Sequence, residues 1–245
     1  MHVLITGASS GIGEALALTY AAPGIHLSLS GRDAARIEAV AAACRTKGAV
    51  ANGAIVDVAD EVATTQWIQA CDTQTPLDLV IANAGISGGM GSHEKTRLIL
   101  RTNVNGVVNT VLPAIDLMRG RKKGQIAIVS SLAGFRGVGG APAYGASKAA
   151  VRVWGEGLRS VLARDGIGVS VVCPGFVVSR MTDANRFHMP FLMTADKAAR
   201  IIQRGLAANR GRIAFPWPMA LLIWLLSALP NAWAEALTRD LPGKD

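Results

Sequence analysis

The chain contains two tyrosines, Tyr20 and Tyr144, and the second opens the run Tyr144-Gly145-Ala146-Ser147-Lys148. On a helix, a separation of four puts Tyr144 and Lys148 on one face. A free phenol titrates near pH ~10, and a neighbouring ammonium favours the phenolate. The pair therefore suits proton exchange near neutral pH, although alone it reads equally as a solvated Tyr/Lys face. Tyr20 lies inside an earlier helical pattern and reads as packing. A second group comes from Ile128-Val129-Ser130-Ser131, an apolar run that ends in two hydroxyls. At the C-terminal edge of a strand, where open α/β sheets bind ligands, Ser131 is placed to hydrogen-bond and polarise a carbonyl. Ser130 is its rival, but one residue earlier it points to the other side of the strand.

A third group suits a phosphorylated cofactor. Thr6-Gly7-Ala8-Ser9-Ser10-Gly11-Ile12-Gly13 follows a strand-like run and precedes a helical one. Small residues let backbone approach a pyrophosphate, and the helix start offers free N–H groups and the positive end of its dipole. Glycine here also has a purely steric reading. The second strand-like run ends in Gly31-Arg32, where a guanidinium would bind a ribose 2′-phosphate through paired N–H groups. That favours NADP(H) over NAD(H). Asp33 competes as a ribose partner, but it also stands where the next helix needs an N-cap.

These residues need a scaffold of alternating strands and helices. Strands are expected over residues 2–6, 26–30, 54–58, 77–83, 125–130, 169–173 and 212–215, and helices over 11–22, 33–47, 61–73, 97–118, 143–165, 194–208 and 219–229. The strands are continuous apolar runs, as in parallel sheets covered on both faces. The expected fold is α/β: a single-domain, Rossmann-type doubly wound parallel sheet of about seven strands, spanning residues 1–245.

The order of these motifs resembles that of the short-chain dehydrogenase/reductase family. Residues 6–13 match its TGxxxGxG turn and Tyr144/Lys148 its YxxxK. Asn83-Ala84-Gly85 matches its NAG motif, Pro174-Gly175 its PG motif, and Ser131 stands 13 residues before Tyr144, a usual spacing. The resemblance covers about residues 1–180. It implies a general acid/base at Tyr144, whose pKa Lys148 lowers while also holding the nicotinamide ribose. It further implies substrate orientation by Ser131 and an Asn103 that supports a water linking Lys148 to solvent, or else bonds backbone at a helix bend. It implies cofactor contacts at Gly7, Ser9, Ser10, Gly11, Ile12, Gly13, Arg32, Asp57, Val58, Asn83, Ala84, Gly85, Tyr144, Lys148, Pro174, Gly175 and Val177. Two departures are mild: Ala82 stands where many relatives have Asn, and Ser179 where they have Thr. The implied chemistry is hydride transfer between a nicotinamide and a carbonyl or secondary alcohol. The alternatives are a non-catalytic NADP-binding regulator or scaffold, and a membrane-associated reductase of 3-oxo lipid intermediates.

Composition narrows the partners. The net charge is +8 over 245 residues, which suits an anionic cofactor, nucleic acid or acidic membrane. Nucleic acid is disfavoured because the basic residues are dispersed and aromatics are only 5%. Cys44, Cys71 and Cys173 form no metal or disulfide spacing, which fits reduced thiols in the cytoplasm; the four histidines are scattered, and no metal site is expected. The chain opens on a strand-like run, with no signal peptide expected.

A substrate lid is expected at residues 178–193. Met181, Phe187, Met189, Phe191, Leu192 and Met193, with Ile86, Met90, Leu132, Phe135 and Val138, suit a hydrophobic carbonyl or alcohol. Residues 213–234 carry no charge and hold three of the five tryptophans. The segment 213–239 is expected to serve as a homo-oligomer interface, a pocket cover or a peripheral membrane contact, the last drawing on a basic run at residues 119–123.

Overall fold

A computed structural model describes residues 1–88, 91–137, 139–183, 185 and 187–238. Its strands are β1 (His2–Ile5), β2 (His26–Gly31), β3 (Val50–Ile55), β4 (Leu79–Ala82), β5 (Gly124–Val129), β6 (Ile167–Pro174) and β7 (Arg212–Phe215). Its helices are α1 (Gly11–Tyr20), α2 (Ala34–Thr46), α3 (Glu61–Gln74), α4 (His93–Leu100), α5 (Gly106–Arg121), α6 (Pro142–Leu162), α7 (Arg180–Asp183), α8 (Ala195–Ala207), α9 (Trp217–Ala228) and α10 (Asn231–Thr238). Among the described residues, the strands form one seven-stranded sheet in the order β3-β2-β1-β4-β5-β6-β7, every pairing parallel. This is the doubly wound α/β fold expected from the sequence.

Alternation along the strands divides the core between two faces. Val3 and Ile5 of β1 join residues of α1, α2 and α8. Leu4 points the other way, toward Ile68 of α3, Val111 of α5 and Val151 of α6. Both faces are covered, which is why these strands read as unbroken apolar runs. Asp33 and Asp60 cap α2 and α3 by accepting from the N–H groups of Arg36 and Ala63, both at 3.0 Å.

Three expectations need correction. The third strand runs over Val50–Ile55, earlier than the expected 54–58. It is the sheet edge, so its outer side chains face solvent. The buried apolar pair that suggested a strand, Val56 and Val58, lies in the following loop, and Val58 packs where Gly106 lacks a side chain. The expected helix over 97–118 begins at His93, because Ser92 caps it by accepting from Lys95 N–H at 3.2 Å. It is then divided by a π-helical turn at Arg101–Asn105. Finally, the basic run at 119–123 sits beside the N-terminal end of β5. There Arg119 pairs with Asp165 and Arg121 with Asp72, each at 2.7 Å. This is the N-terminal end of the strands, whereas α9 starts from the C-terminal end of β7, so the run lends nothing to a membrane contact there.

The order of strands reverses between β1 and β4, and a crevice opens beyond their C-terminal ends. Thr6 ties the two strands together. Its N–H donates to Ile81 C=O at 3.1 Å, and its hydroxyl oxygen accepts from the N–H groups of Asn83 at 3.1 Å and Ala84 at 3.2 Å. Valine has the same shape but cannot accept these bonds. Leaving a buried donor without a partner costs about 1–3 kcal/mol. Thr6→Val is expected to lower unfolding free energy in urea by about 2 kcal/mol or more. A loss under about 0.5 kcal/mol would show that water replaces the hydroxyl without penalty.

Candidate active site

The C-terminal ends of the strands frame a cavity of about 950 Å³ that runs across the switch point. One end is built by the glycine turn. Gly7 and Gly11 have φ of +65° and +60°, a region that favours glycine. A Cβ on Gly7 would lie 2.7 Å from Ala84 Cα, and one on Gly13 would lie 2.3 Å from the Gly7 carbonyl oxygen. The side-chain amide of Asn83 donates to the carbonyls of Thr6 at 2.9 Å and Gly7 at 3.1 Å, clamping the turn from β4. Ser10 caps α1 without a side-chain hydrogen bond. The first-turn N–H groups of α1 therefore stay available beside Ser9, Ser10, Gly11 and Ile12, which all line the cavity.

Beyond β2 the cavity is lined by Gly31, Arg32, Asp33 and Arg36, and beyond β3 by Asp57 and Val58. The Asp33 carboxylate is taken up by α2: it accepts from Arg36 N–H and pairs with the Arg36 guanidinium at 2.8 Å. Asp57 accepts from Ala59 N–H at 3.0 Å.

At the other end stands a hydroxyl and ammonium cluster. Ser131, Tyr144 and Lys148 all line the cavity. The Ser131 hydroxyl donates to Pro174 C=O at 3.4 Å and accepts from Ala133 N–H at 3.1 Å. Burial pushes the Tyr144 phenol above its ordinary pKa, and the Ser131 hydroxyl pulls it part of the way back; the lowering expected from Lys148 does not appear, because its ammonium is turned to Val129 C=O. Lys148 is 3% exposed. Its ammonium stands 5.8 Å from the Tyr144 ring centre and donates to Val129 C=O at 2.9 Å. Burial brings its pKa down to about 8. Ser130 also lines the cavity, but its buried hydroxyl is spent on Lys148 C=O at 2.7 Å, which separates its role from that of Ser131.

Asn103 lies behind the cavity wall, fully buried in the π-helical turn. Its oxygen accepts from Ile86 N–H at 2.8 Å, and its amide donates to Ile86 C=O at 2.9 Å and Ser147 Oγ at 3.0 Å. Gly85 fills the space between Asn103 and Lys148: a Cβ there would lie 3.2 Å from Asn103 Oδ1 and 3.3 Å from Lys148 Nζ.

Ala84, Pro174, Gly175 and Val177 complete the lining named from the sequence, whereas Gly13 supports the turn from behind. Of the apolar set, Ile86, Leu132, Met181 and Phe187 line the cavity. Met193 is buried in a bridge to Val177, and Phe191 and Leu192 are exposed. Met90 and Val138 lie outside the described residues. From the apolar segment, Met219 and Ile223 of α9 line the cavity and pack with Leu132.

Sequence reasoning missed Arg36, Ser147 and Arg136. Arg36 had a signal, since it follows Arg32 at helical spacing. Ser147 and Arg136 had none, because their partners Asn103 and Asn231 are remote in the chain.

Comparison with known proteins agrees with the geometry. The family model for "short chain dehydrogenase" matches residues 1–189. An uncharacterized oxidoreductase of Myxococcus xanthus is 38% identical over 97% of this chain and 96% of its own. A putative ketoacyl reductase of the monensin polyketide synthase, from Streptomyces virginiae, is 35% identical over 92% of this chain and 89% of its own. Two solved structures share the fold. A short-chain dehydrogenase from Sphingobium yanoikuyae in complex with NADPH has a TM-score of 0.83 at 24% identity, covering 98% of this chain and 96% of that one. A short-chain dehydrogenase/reductase from Burkholderia phymatum in complex with NAD has a TM-score of 0.84 at 23% identity, covering 100% and 96%. With its motifs gathered around one cavity and its sequence matched over most of its length, the chain belongs to the short-chain dehydrogenase family of oxidoreductases.

Proposed function

We propose that the protein uses NADP(H) to reduce a hydrophobic ketone to a secondary alcohol. The observation that carries this reading is one cavity with a guanidinium pair at one end and the Ser131–Tyr144–Lys148 cluster at the other. The residues fit a dinucleotide: the glycine turn leaves a cradle that side chains would fill, and the start of α1 offers N–H groups to a pyrophosphate. Solved relatives bind NADPH or NAD, so the choice between them falls to this chain's own residues. Asp33, the one carboxylate at the end of β2, is already paired with Arg36, which leaves Arg32 to meet a 2′-phosphate.

When bound, the cofactor supplies a hydride from its nicotinamide ring. Ser131 holds the substrate oxygen from one side and keeps the Tyr144 hydroxyl aimed at the same point. Tyr144 donates its proton to that oxygen as the alkoxide forms; its raised pKa keeps it protonated until then. The Lys148 ammonium would hold the nicotinamide ribose hydroxyls and stabilise the phenolate left behind. Asn103 is a positioning residue: it fixes the Ile86 backbone and Ser147, one residue from Lys148. Ile86, Leu132, Met181, Phe187, Met219 and Ile223 supply apolar walls that favour a substrate with a hydrocarbon body.

Three outcomes are expected. Tyr144→Phe should lower kcat for ketone reduction by about 10²–10⁴-fold while NADPH still binds, as read by cofactor fluorescence; turnover at the parent rate contradicts the acid role. Arg32→Ala should weaken NADPH by about tenfold and leave NADH nearly unchanged, since one charge-assisted contact is removed; equal losses contradict the 2′-phosphate contact. The third concerns Lys148, whose pKa falls from 10.5 to about 8 on folding. Its buried charge therefore opposes folding fully below pH ~8, and the penalty fades as pH rises toward about 10.4. The stability of Lys148→Met relative to the parent should be greatest below pH ~8 and shrink steadily above it, read by urea unfolding across pH. A pH-independent difference contradicts the depressed pKa.

A further inference from the structure

The fold leaves one surface unexplained. None of the residues of α9 is buried, although the helix carries no charge. Its inner face, with Met219, Ala220 and Ile223, packs on Leu132, Val171 and Cys173. Its outer face exposes Trp217, Leu221, Leu222, Trp224 and Leu225, from 48% to 75%. Trp233 and Leu237 of α10 are both 67% exposed, and the lid adds Phe191 and Leu192. Lid and helix flank the same cavity, since Phe187 and Pro190 line it from one side and Met219 and Ile223 from the other.

We propose that this face docks on an anionic lipid surface, with the substrate end of the cavity opening toward it. Three observations select lipid over a second copy of the chain. First, protein interfaces carry about one hydrogen bond per 100–200 Å², and the outer face of α9 offers only indole N–H groups. Its one hydroxyl, on Ser227, is spent on Trp224 C=O at 2.7 Å. Second, α9 and α10 amount to about 30 Å of helix, a strip of roughly 300 Å², where a stable protein interface buries about 800 Å² on each side. Third, charge is arranged to complement phosphate headgroups. Lys95 and Arg136 line the cavity away from the glycine turn, Arg180 lines it next to Ser179, which lies against Gly11, and the acidic residues lining it among the described residues, Asp33 and Asp57, both lie at the adenosine end. Arg136 also donates to Asn231 Oδ1 at 2.9 Å, which ties a cation to the start of α10.

The mode of contact follows from length. No described helix is long and apolar enough to cross a membrane. Twelve-residue α9 spans about 18 Å, so it would lie in the headgroup layer with its tryptophans at the interface. The docking adds to the reductase reading without depending on it, because it is measured with no turnover.

The test is flotation of the full chain with vesicles of phosphatidylcholine, with and without 30 mol% phosphatidylglycerol (about the anionic share that attracts basic surfaces), together with light scattering for subunit count. The parent should float with anionic vesicles and far less with neutral ones, and its tryptophan emission should shift to the blue. Leu222→Glu/Leu225→Glu faces away from the cavity. It should lose binding by about tenfold or more while reducing a water-soluble ketone at the parent rate and keeping the parent's subunit count. Three results would each overturn the proposal: a parent that never floats, a folded variant that floats as well as the parent, or a parent oligomer that this variant splits into monomers. If the variant fails to fold, the parent's flotation and blue shift on anionic vesicles decide alone.

Discussion

A buried ammonium governs the architecture of this site. Lys148 is 3% exposed, and an isolated charge in such a place is costly. The surroundings are built to tolerate it. Val129 C=O accepts one of its protons, Ser130 holds its backbone carbonyl, and two glycines make room. A Cβ on Gly134 would lie 2.7 Å from Lys148 C, and one on Gly85 would press on its Nζ. The close approach at Gly134 presses the turn after β5 onto α6, and so it sets Ser131 against Tyr144. Arg152 secures the same turn by donating to Gly134 C=O at 3.2 Å and stacking over Phe135 at 4.6 Å, with Arg212 at 5.3 Å from the same ring. The geometry proposed for catalysis is thus a consequence of housing one charge.

The other half of the cavity answers to a different constraint, the close crossing of β1 and β4. Thr6 and Asn83 spend all their polar atoms shown bonding on joining the two strand ends, and the glycines permit that approach. The start of α1, with its uncapped first-turn N–H groups, is left facing the cavity. The two halves meet along Ala84–Gly85 and Pro174–Gly175, so a ligand spanning both would have its ends held by independent pieces of scaffold.

Much of this was legible in the residues. Continuous apolar strands reported a sheet covered on both faces, and the glycine turn, the Tyr144/Lys148 pair and Ser131 were readable because each is a local pattern imposed by local chemistry. What was hidden depends on contacts remote in sequence. Nothing near Asn103 announces that it bonds Ile86 and Ser147, and no periodicity shows the π-helical turn that carries it. Val56 and Val58 misled because loop burial mimics a strand. Residues 213–234 were conspicuous, but composition could not divide a helix that is apolar on every side into a face lining the cavity and a face left in the open. That division came only with the packing of Met219 and Ile223.

The central claim is that this cavity carries a hydride from NADPH to the carbon of a hydrophobic ketone. The most direct measurement uses NADPH deuterated at C4 of the nicotinamide, offered with a panel of ketones, aldehydes and long-chain 3-oxo compounds, followed by mass analysis of the products. The account predicts oxidation of the cofactor and one deuterium on the carbinol carbon of an apolar alcohol. Tight NADPH binding with no deuterium in any product would contradict it and leave a cofactor-binding protein without this chemistry.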